Sequence, residues 1–388
     1  MVAGHLQEKN GIYYIVLNYK DRNGKRKSKW ISTKLPIKGN KKKAEAMLLE
    51  ARTNFIPEDG PGAEDMLFAD FMLKWLDIVK PTIAPATYSS YNNMVTKVIA
   101  PYFKDRKIKL SQLKPSDIQD FYTEQLKRVK ANSVIHYHAN IHKALKYAVK
   151  VEIIPSNPAD KIERPKKDRY IGSFYNYDEV RQLFEAAKGT HLEIPVFLGA
   201  FYGLRRSEAL GLKWDAVDFE RNTITIKHTV TSFMLDGKKV QFAQDSTKTS
   251  SSLRTLPLVP QFKDLLLSHR EKQDINRRVC GRCYDRNYLD YICVDEMGTL
   301  LGPEYVSTAF SKLLKKNNLR HIRFHDLRHS CASLLLANGV SMKQIQEWLG
   351  HSDFSTTANI YAHLDYSSKI SSATAMMNGL SDALEVIC

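Results

Sequence analysis

The chain has 388 residues, of which 43% are hydrophobic and 26% charged, and its 58 Lys and Arg against 42 Asp and Glu give a formal charge of +16. That length exceeds what one hydrophobic core usually organises, so three domains are expected, and no uninterrupted apolar run of about eighteen residues offers a membrane span. The start MVAGHLQEKNG lacks the basic and apolar parts of a secretory signal, and five cysteines with a single C-x-x-C pair suit a reduced, cytoplasmic setting.

The positive excess points to a polyanionic partner, nucleic acid ahead of an acidic membrane surface. Residues 1–52 hold thirteen Lys and Arg against four Asp and Glu, so +9 of the charge lies in this short piece. Within it, IYYIVLNYK (Ile12 to Lys20) reads as a strand, Asp21-Arg22-Asn23-Gly24 as a turn and KRKSKWIST (Lys25 to Thr33) as the returning strand. A helix follows over Lys41 to Phe55, with Ala44, Met47, Leu48 and Ala51 on its apolar face. This basic β-hairpin-plus-helix module, residues 1–60, is expected to lay Lys25, Arg26, Lys27 and Lys29 against a nucleic-acid groove.

The Pro/Gly-rich acidic break PEDGPG (Pro57 to Gly62) suits a linker to a second, all-helical domain over residues 64–162. Its four periodic blocks are 67–79, 85–99, 115–129 and 131–150, and Pro85, Pro115, Ser116 and Asp117 stand where first helical turns accept them. His136, His138 and His142 share no carboxylate or cysteine spacing, so they are read as exposed or DNA-facing rather than as metal ligands. A basic connector, ERPKKDR, carries Lys166, Lys167 and Arg169 and could cross a nucleic-acid backbone.

The third region, residues 170–388, is mostly helical apart from alternating runs at Thr223 to Val230, Lys238 to Ala243 and Leu253 to Val259, expected as three strands joined by hairpins. Cys280 and Cys283 with Cys293 do not complete a zinc ribbon, and they are read as small buried thiols in a loop-rich insert. The chain as a whole is thus expected to be multidomain and mainly α with small antiparallel sheets. No metal or other cofactor is expected.

Three segments of this region carry ionisable groups in suggestive patterns. In GAFYGLRRSEALGLKW, Arg205 and Glu208 stand three apart, which is most often a helix salt bridge. In FHDLRHSCASLLLANG, His325 and Arg328 are again three apart, on a helix whose Leu327, Leu334 and Leu335 enter a core. His321, His325 and His329 are spaced like metal-binding helix residues, but the glutamate of a zinc protease motif is absent. In WLGHSDFSTTANIYAHL, His351 follows a glycine, and Tyr361 lies ten positions on.

Taken together and in this order, Gly203-Leu204-Arg205-Arg206-Ser207-Glu208, Lys248 before SLRTLPL, His325-Asp326-Leu327-Arg328, Leu349-Gly350-His351 and Tyr361 resemble the motifs of the tyrosine recombinases, in particular the site-specific integrases of phages and conjugative transposons. The resemblance spans about residues 175–365 and implies a mixed α+β catalytic domain, preceded by arm-type and core-type DNA-binding domains. It further implies that Tyr361 is the nucleophile forming a 3′-phosphotyrosine link, that Arg205 and Arg328 clamp the phosphate, that Lys248 is the general acid, and that His325, His351 and Glu208 support them. Neither metal nor ATP is needed, since the covalent link conserves the bond energy, and no phosphate-binding loop motif is present. The partners implied are double-stranded DNA carrying arm-type and core-type sites, a homo-oligomer that is tetrameric on synapsed DNA, an excision-directing small protein and a host DNA-bending factor. A type IB topoisomerase with the same chemistry and a non-recombining DNA-binding regulator are the competing readings. After Tyr361, Ala373, Met376, Met377, Leu380 and Leu384 recur at helical spacing, as in a tail that docks on its own domain or on a neighbouring protomer.

Overall fold

The computed structural model describes residues 3–20, 26–55, 66–167, 173–235, 237–245 and 253–350, and the chain divides into two compact units, Met1–Asp168 and Arg169–Cys388. The break at 57–62, Lys25, Arg169, Lys248, His351, Tyr361 and the tail beyond it lie outside the described residues.

The first unit opens with three antiparallel strands in sequential order, β1 (Ala3–Lys9), β2 (Ile12–Lys20) and β3 (Arg26–Pro36). β1 was not expected, since its AGHLQEK stretch is polar and most of its side chains are exposed. Its signal is the two-residue turn Asn10-Gly11, whose φ angles of 53° and 74° are those a tight hairpin demands. Ile15, Val16 and Leu17 form the buried strip of β2, and helix α1 (Lys41–Asn54) packs on the sheet through Ala44. Met47 is 38% exposed, contrary to expectation: it flanks the 44-48-51 stripe, and so narrow a sheet does not reach it.

Every expected helical block of the first unit is present: α2 (Phe68–Val79), α3 (Pro85–Met94), α4 (Ala100–Asp105), α5 (Pro115–Leu126) and α6 (Ala131–Lys150). The block expected to end at Ile99 instead continues into α4 through a π-helical turn over Val95–Ile99. The wide turn comes just before Pro101, which has no N–H to donate and whose ring crowds the preceding carbonyls. At α5 the sequence signal is realised directly, because the Asp117 carboxylate accepts from the Lys114 N–H at 2.8 Å around Pro115. Phe68, Phe103 and Phe121 meet edge-on or tilted in the core.

The histidine reading needs correction. His138 is buried, its Nδ1 2.9 Å from the Tyr122 hydroxyl, while His142 meets Asp160 at 2.8 Å, a carboxylate supplied by tertiary contact. Burial first, then the nearby His142 and Arg164, holds the His138 imidazole down to about 4. Only His136 is exposed.

Among its described residues, the second unit contains α7 (Tyr177–Ala187), α8 (Glu193–Ala200) and the short α9 (Arg206–Leu210), then five strands, then α10 (Pro260–Cys280), α11 (Pro303–Lys316), α12 (Asp326–Ala337) and α13 (Met342–Leu349). The strands do not form one hairpin series. β4 (Val217–Asp218), β5 (Thr223–Ile226) and β8 (Arg254–Pro257) make one antiparallel sheet, while β6 (Thr229–Leu235) and β7 (Lys238–Gln244) make a separate ribbon. The expected strand 223–230 is therefore split at Lys227-His228, and the Leu253 to Val259 run returns to β5 rather than to β7. The reason is burial: Ile224, Ile226, Leu256 and Leu258 belong to the core, whereas much of the ribbon is solvated. The expectation of buried thiols holds for Cys293 and fails for the C-x-x-C pair, since Cys280 is half-buried at the end of the long α10 and Cys283 is exposed; among the described cysteines Cys331 is also buried. Among the described residues no group of three or more His, Cys, Asp or Glu could hold a metal, and no helix is long and apolar enough to cross a membrane.

Candidate active site

The site is assembled where α8 turns into α9. Phe201 to Arg205 form the turn, and Gly203 has a φ of 64°. A Cβ there would stand 2.3 Å from Leu349 Cδ2 and 3.2 Å from Cys331 Sγ, so both conformation and space require glycine. The glycine of G-L-R thereby lets α13 and α12 close on the turn. Gly350, with a φ of 68°, ends α13 in a left-handed cap, which is the physical reason for glycine in Leu349-Gly350-His351.

Arg205 is not on the helix but at its N-cap, with φ −64° and ψ 149°. Glu208, three residues on, turns back to accept its backbone N–H at 3.0 Å and its Nη1 at 2.6 Å. The pair is thus a salt bridge closed across the start of the helix rather than along its face. Glu208 is 2% exposed, and its second partner is Arg254, whose Nη2 lies 3.1 Å from Oε2. Arg254 also donates from Nε to the Trp348 carbonyl at 2.9 Å, tying β8 to the end of α13.

Arg254 was missed in the sequence. The signal was available: in LRTLPL it shares the inward strand face with the buried Leu256 and Leu258, a position where an arginine needs a partner.

Arg328, on α12, is 2% exposed, and its Nη1 and Nη2 donate to the Gly203 and Leu349 carbonyls at 2.6 and 2.7 Å. Burial is the main influence lowering its pKa, to about 9, and Arg205 adds to it while Glu208 opposes it. Burial also works against the Glu208 carboxylate, but the charges of Arg254, Arg205 and Arg328 prevail and hold its pKa below the ordinary value. Three guanidiniums thus surround one carboxylate. The excess is two positive charges, and Arg205, with a side chain 34% exposed, is the guanidinium that solvent reaches most readily. Such a cluster is receptive to a polyanion.

His325 precedes α12 as its N-cap, with its ring edge-on to His329 at 5.4 Å between centroids. Loss of solvation, then His329, Arg328 and Arg323, holds its imidazole down to about 4, with Asp326 opposing. At neutral pH it is an unprotonated base. The structure therefore brings together Arg205, Glu208, Arg328 and the unforeseen Arg254, with His325 beginning the helix that carries Arg328. Of the DNA-binding candidates, Arg26, Lys27 and Lys29 are exposed on β3, and Lys166 and Lys167 are exposed in the connector.

This architecture is that of a multidomain tyrosine recombinase, with a helical domain ahead of a mixed α+β catalytic domain. The Phage integrase family matches residues 174–368, a range that includes every candidate from Arg205 to Tyr361, and the phage integrase N-terminal SAM-like domain matches residues 67–126. The chain belongs to the phage integrase family. It is 28% identical to a tyrosine recombinase XerC-like protein of Caldanaerobacter subterraneus subsp. tengcongensis, over 78% of this chain and 80% of the relative. The ICEBs1 integrase of Bacillus subtilis is 25% identical over 85% of this chain and 88% of its own. Among solved structures, the Tn1549 transposon integrase in complex with transposon right end DNA superimposes with a TM-score of 0.63 at 20% identity, covering 81% of this chain and all of that one (100%). A lambda integrase dimer bound to a core site gives a TM-score of 0.56 at 18% identity, covering 75% of this chain and 97% of that one.

Proposed function

We propose that the chain is a site-specific DNA recombinase that cleaves and rejoins DNA through a 3′-phosphotyrosine intermediate on Tyr361, integrating and excising a mobile element. The observation that carries this reading is the arginine cluster on buried Glu208: two positive charges in excess, preorganised in low dielectric, suit a phosphodiester whose charge grows as a fifth oxygen approaches. Arg205 and Arg328 are assigned to the non-bridging oxygens, and loss of one such donor costs about 3 kcal/mol of transition-state stabilisation, roughly a hundredfold in rate. A tyrosine of ordinary pKa is only about one-thousandth ionised at neutral pH, so it needs a base. His325, which begins the helix carrying Arg328, is assigned to assist in removing that proton. Lys248 is assigned to protonate the departing 5′ oxygen, and His351 to donate to a phosphate oxygen.

The basic module of residues 1–60 is read as an arm-type DNA-binding domain, residues 64–162 as the core-type domain and residues 170–388 as the catalytic domain with its tail. Double-stranded DNA is the substrate and partner, engaged by several protomers, four on synapsed DNA. An excision-directing small protein and a host DNA-bending factor complete the assembly.

The test is a denaturing gel of the full chain with nicked DNA carrying the element's end, with and without chelator. A chelator-resistant covalent adduct in the wild type and none in Tyr361→Phe, with binding retained, is the expected result. An adduct that survives Tyr361→Phe would overturn the nucleophile assignment.

A further inference from the structure

The C-x-x-C pair has no part in the chemistry above. Cys280 ends α10, and Gly281, at φ 53° and ψ −114°, carries the chain into a 3-10 turn over Gly281–Cys283. Those angles are close to the roughly 60° and −120° that open a type II′ turn, in which the first and last Cα stand within about 7 Å of each other. Disulfide-linked residues have Cα separations of roughly 4.4–6.8 Å, so the turn keeps Cys280 and Cys283 within reach of a bond. Nothing lies within 4 Å of where a Cβ on Gly281 would stand, which leaves that side of the turn open.

The cysteines differ in access. Cys283 is exposed and Cys280 half-buried, and Cys280 Sγ makes only weak contacts, at 3.7 Å to the Glu296 carbonyl oxygen and 3.7 Å to Met297 Sδ. It is therefore held loosely enough to turn toward its neighbour. Cys293 and Cys331 are buried, and burial pushes both thiols up to about 12, which keeps them protonated as well as out of reach. Arg278 and Arg282 flank the pair and are exposed, so an anionic reagent is drawn to it. An exposed thiol, a second thiol across the turn and a basic approach are together what thiol–disulfide exchange requires.

We infer that Cys280 and Cys283 form a reversible modification site, a dithiol that an acidic low-molecular-weight disulfide of the oxidised glutathione class closes into a bond across the turn. The Cys283 thiolate attacks one sulfur of the reagent, whose S–S bond breaks, and the departing thiolate takes a proton from water. The Cys280 thiolate, its own proton lost to water, then attacks Cys283 Sγ and expels the second half of the reagent as a thiol. Two protein thiols are oxidised and one small disulfide is reduced to two thiols. An exposed disulfide is of the labile kind, so excess reductant opens it again.

The full chain is incubated at graded ratios of oxidised to reduced glutathione, its free thiols are alkylated, and a tryptic digest is weighed. Trypsin cuts after Arg278, Arg282 and Arg286, so the expected product is VCGR joined to CYDR, two hydrogens lighter than the separate peptides and separated again by reduction. Cys293 and Cys331 stay unmodified until the chain is unfolded. Cys280→Ser, which lacks the resolving thiol, retains glutathione on Cys283, and Cys283→Ser loses the joined product. Glutathione retained on Cys283 of the wild type, a bond from either cysteine to Cys388 or between two chains, or no loss of thiols would each overturn the inference.

Discussion

Glu208→Gln removes the charge that three guanidiniums share while keeping the side chain's size. The carboxylate is 2% exposed and takes Arg205 at 2.6 Å and Arg254 at 3.1 Å. The amide retains one acceptor oxygen but turns N–H donors toward a guanidinium, and the buried Arg254 and Arg328 lose the negative charge that offsets theirs. Uncompensated buried charge costs about 3–5 kcal/mol, and the partly exposed Arg205 adds nothing to that figure. In a unit of this size each kcal/mol moves Tm by about 2–4 °C, so a fall of roughly 6–20 °C is expected.

Calorimetry of the full chain at pH 7, with and without sulfate, measures it. Sulfate should restore more of the loss in the variant than it adds to the wild type, because it supplies the missing negative charge. The carboxyl pKa lies below the ordinary value of 4.5, so its contribution is fully present above that pH and is lost as the pH falls through the folded value. The gap between wild type and variant must then close in acid. A variant melting within about 2 °C of wild type at pH 7 would refute the account of Glu208 as the common counter-charge.

Gly203→Ala should destabilise the second unit by roughly 2–5 kcal/mol in denaturant titration, combining a left-handed backbone with a clash against Leu349, and an unchanged midpoint would show that α13 packs otherwise. NMR titration of His325 should find it neutral at pH 7, with a midpoint near 4; the unfolded imidazole takes up its proton first, so this contribution to stability is lost as pH falls from about 6.5 toward 4. A midpoint above 6 would contradict the desolvated environment. Removing Lys27 or Arg26, exposed on β3, should weaken arm-site DNA binding and reduce its salt slope by about one for each phosphate left unneutralised, whereas an unchanged slope would take β3 off the DNA.

Long periodic blocks were legible because a helix announces itself every three or four residues: α2, α3, α5 and α6 fall where the apolar spacing and first-turn prolines place them. β1 escaped because a strand exposed along most of its length carries no apolar alternation, leaving only Asn10-Gly11 to mark it. The partition of the strands of the second unit into two sheets was not legible either. Alternation says which side chains point the same way but not which neighbour a strand chooses, and here the choice followed the burial of Ile224, Ile226, Leu256 and Leu258. His138 was misread for a related reason, since its partner Tyr122 lies on another helix.

The motifs' resemblance pointed to the family, apolar spacing to the helical blocks, and the motif order to Arg205, Glu208, His325 and Arg328 as candidates. Their number and order do not depend on how the chain packs. Tertiary structure decided what surrounds each of them: Arg254 on Glu208 across 46 residues, Arg328 on the carbonyls of Gly203 and Leu349 across 125 and 21, and His228 on Asp245 at the end of the ribbon. A buried charge must find its counter-charge and hydrogen-bond acceptors wherever the fold brings them, and that matching is a property of the desolvated interior that no local pattern encodes.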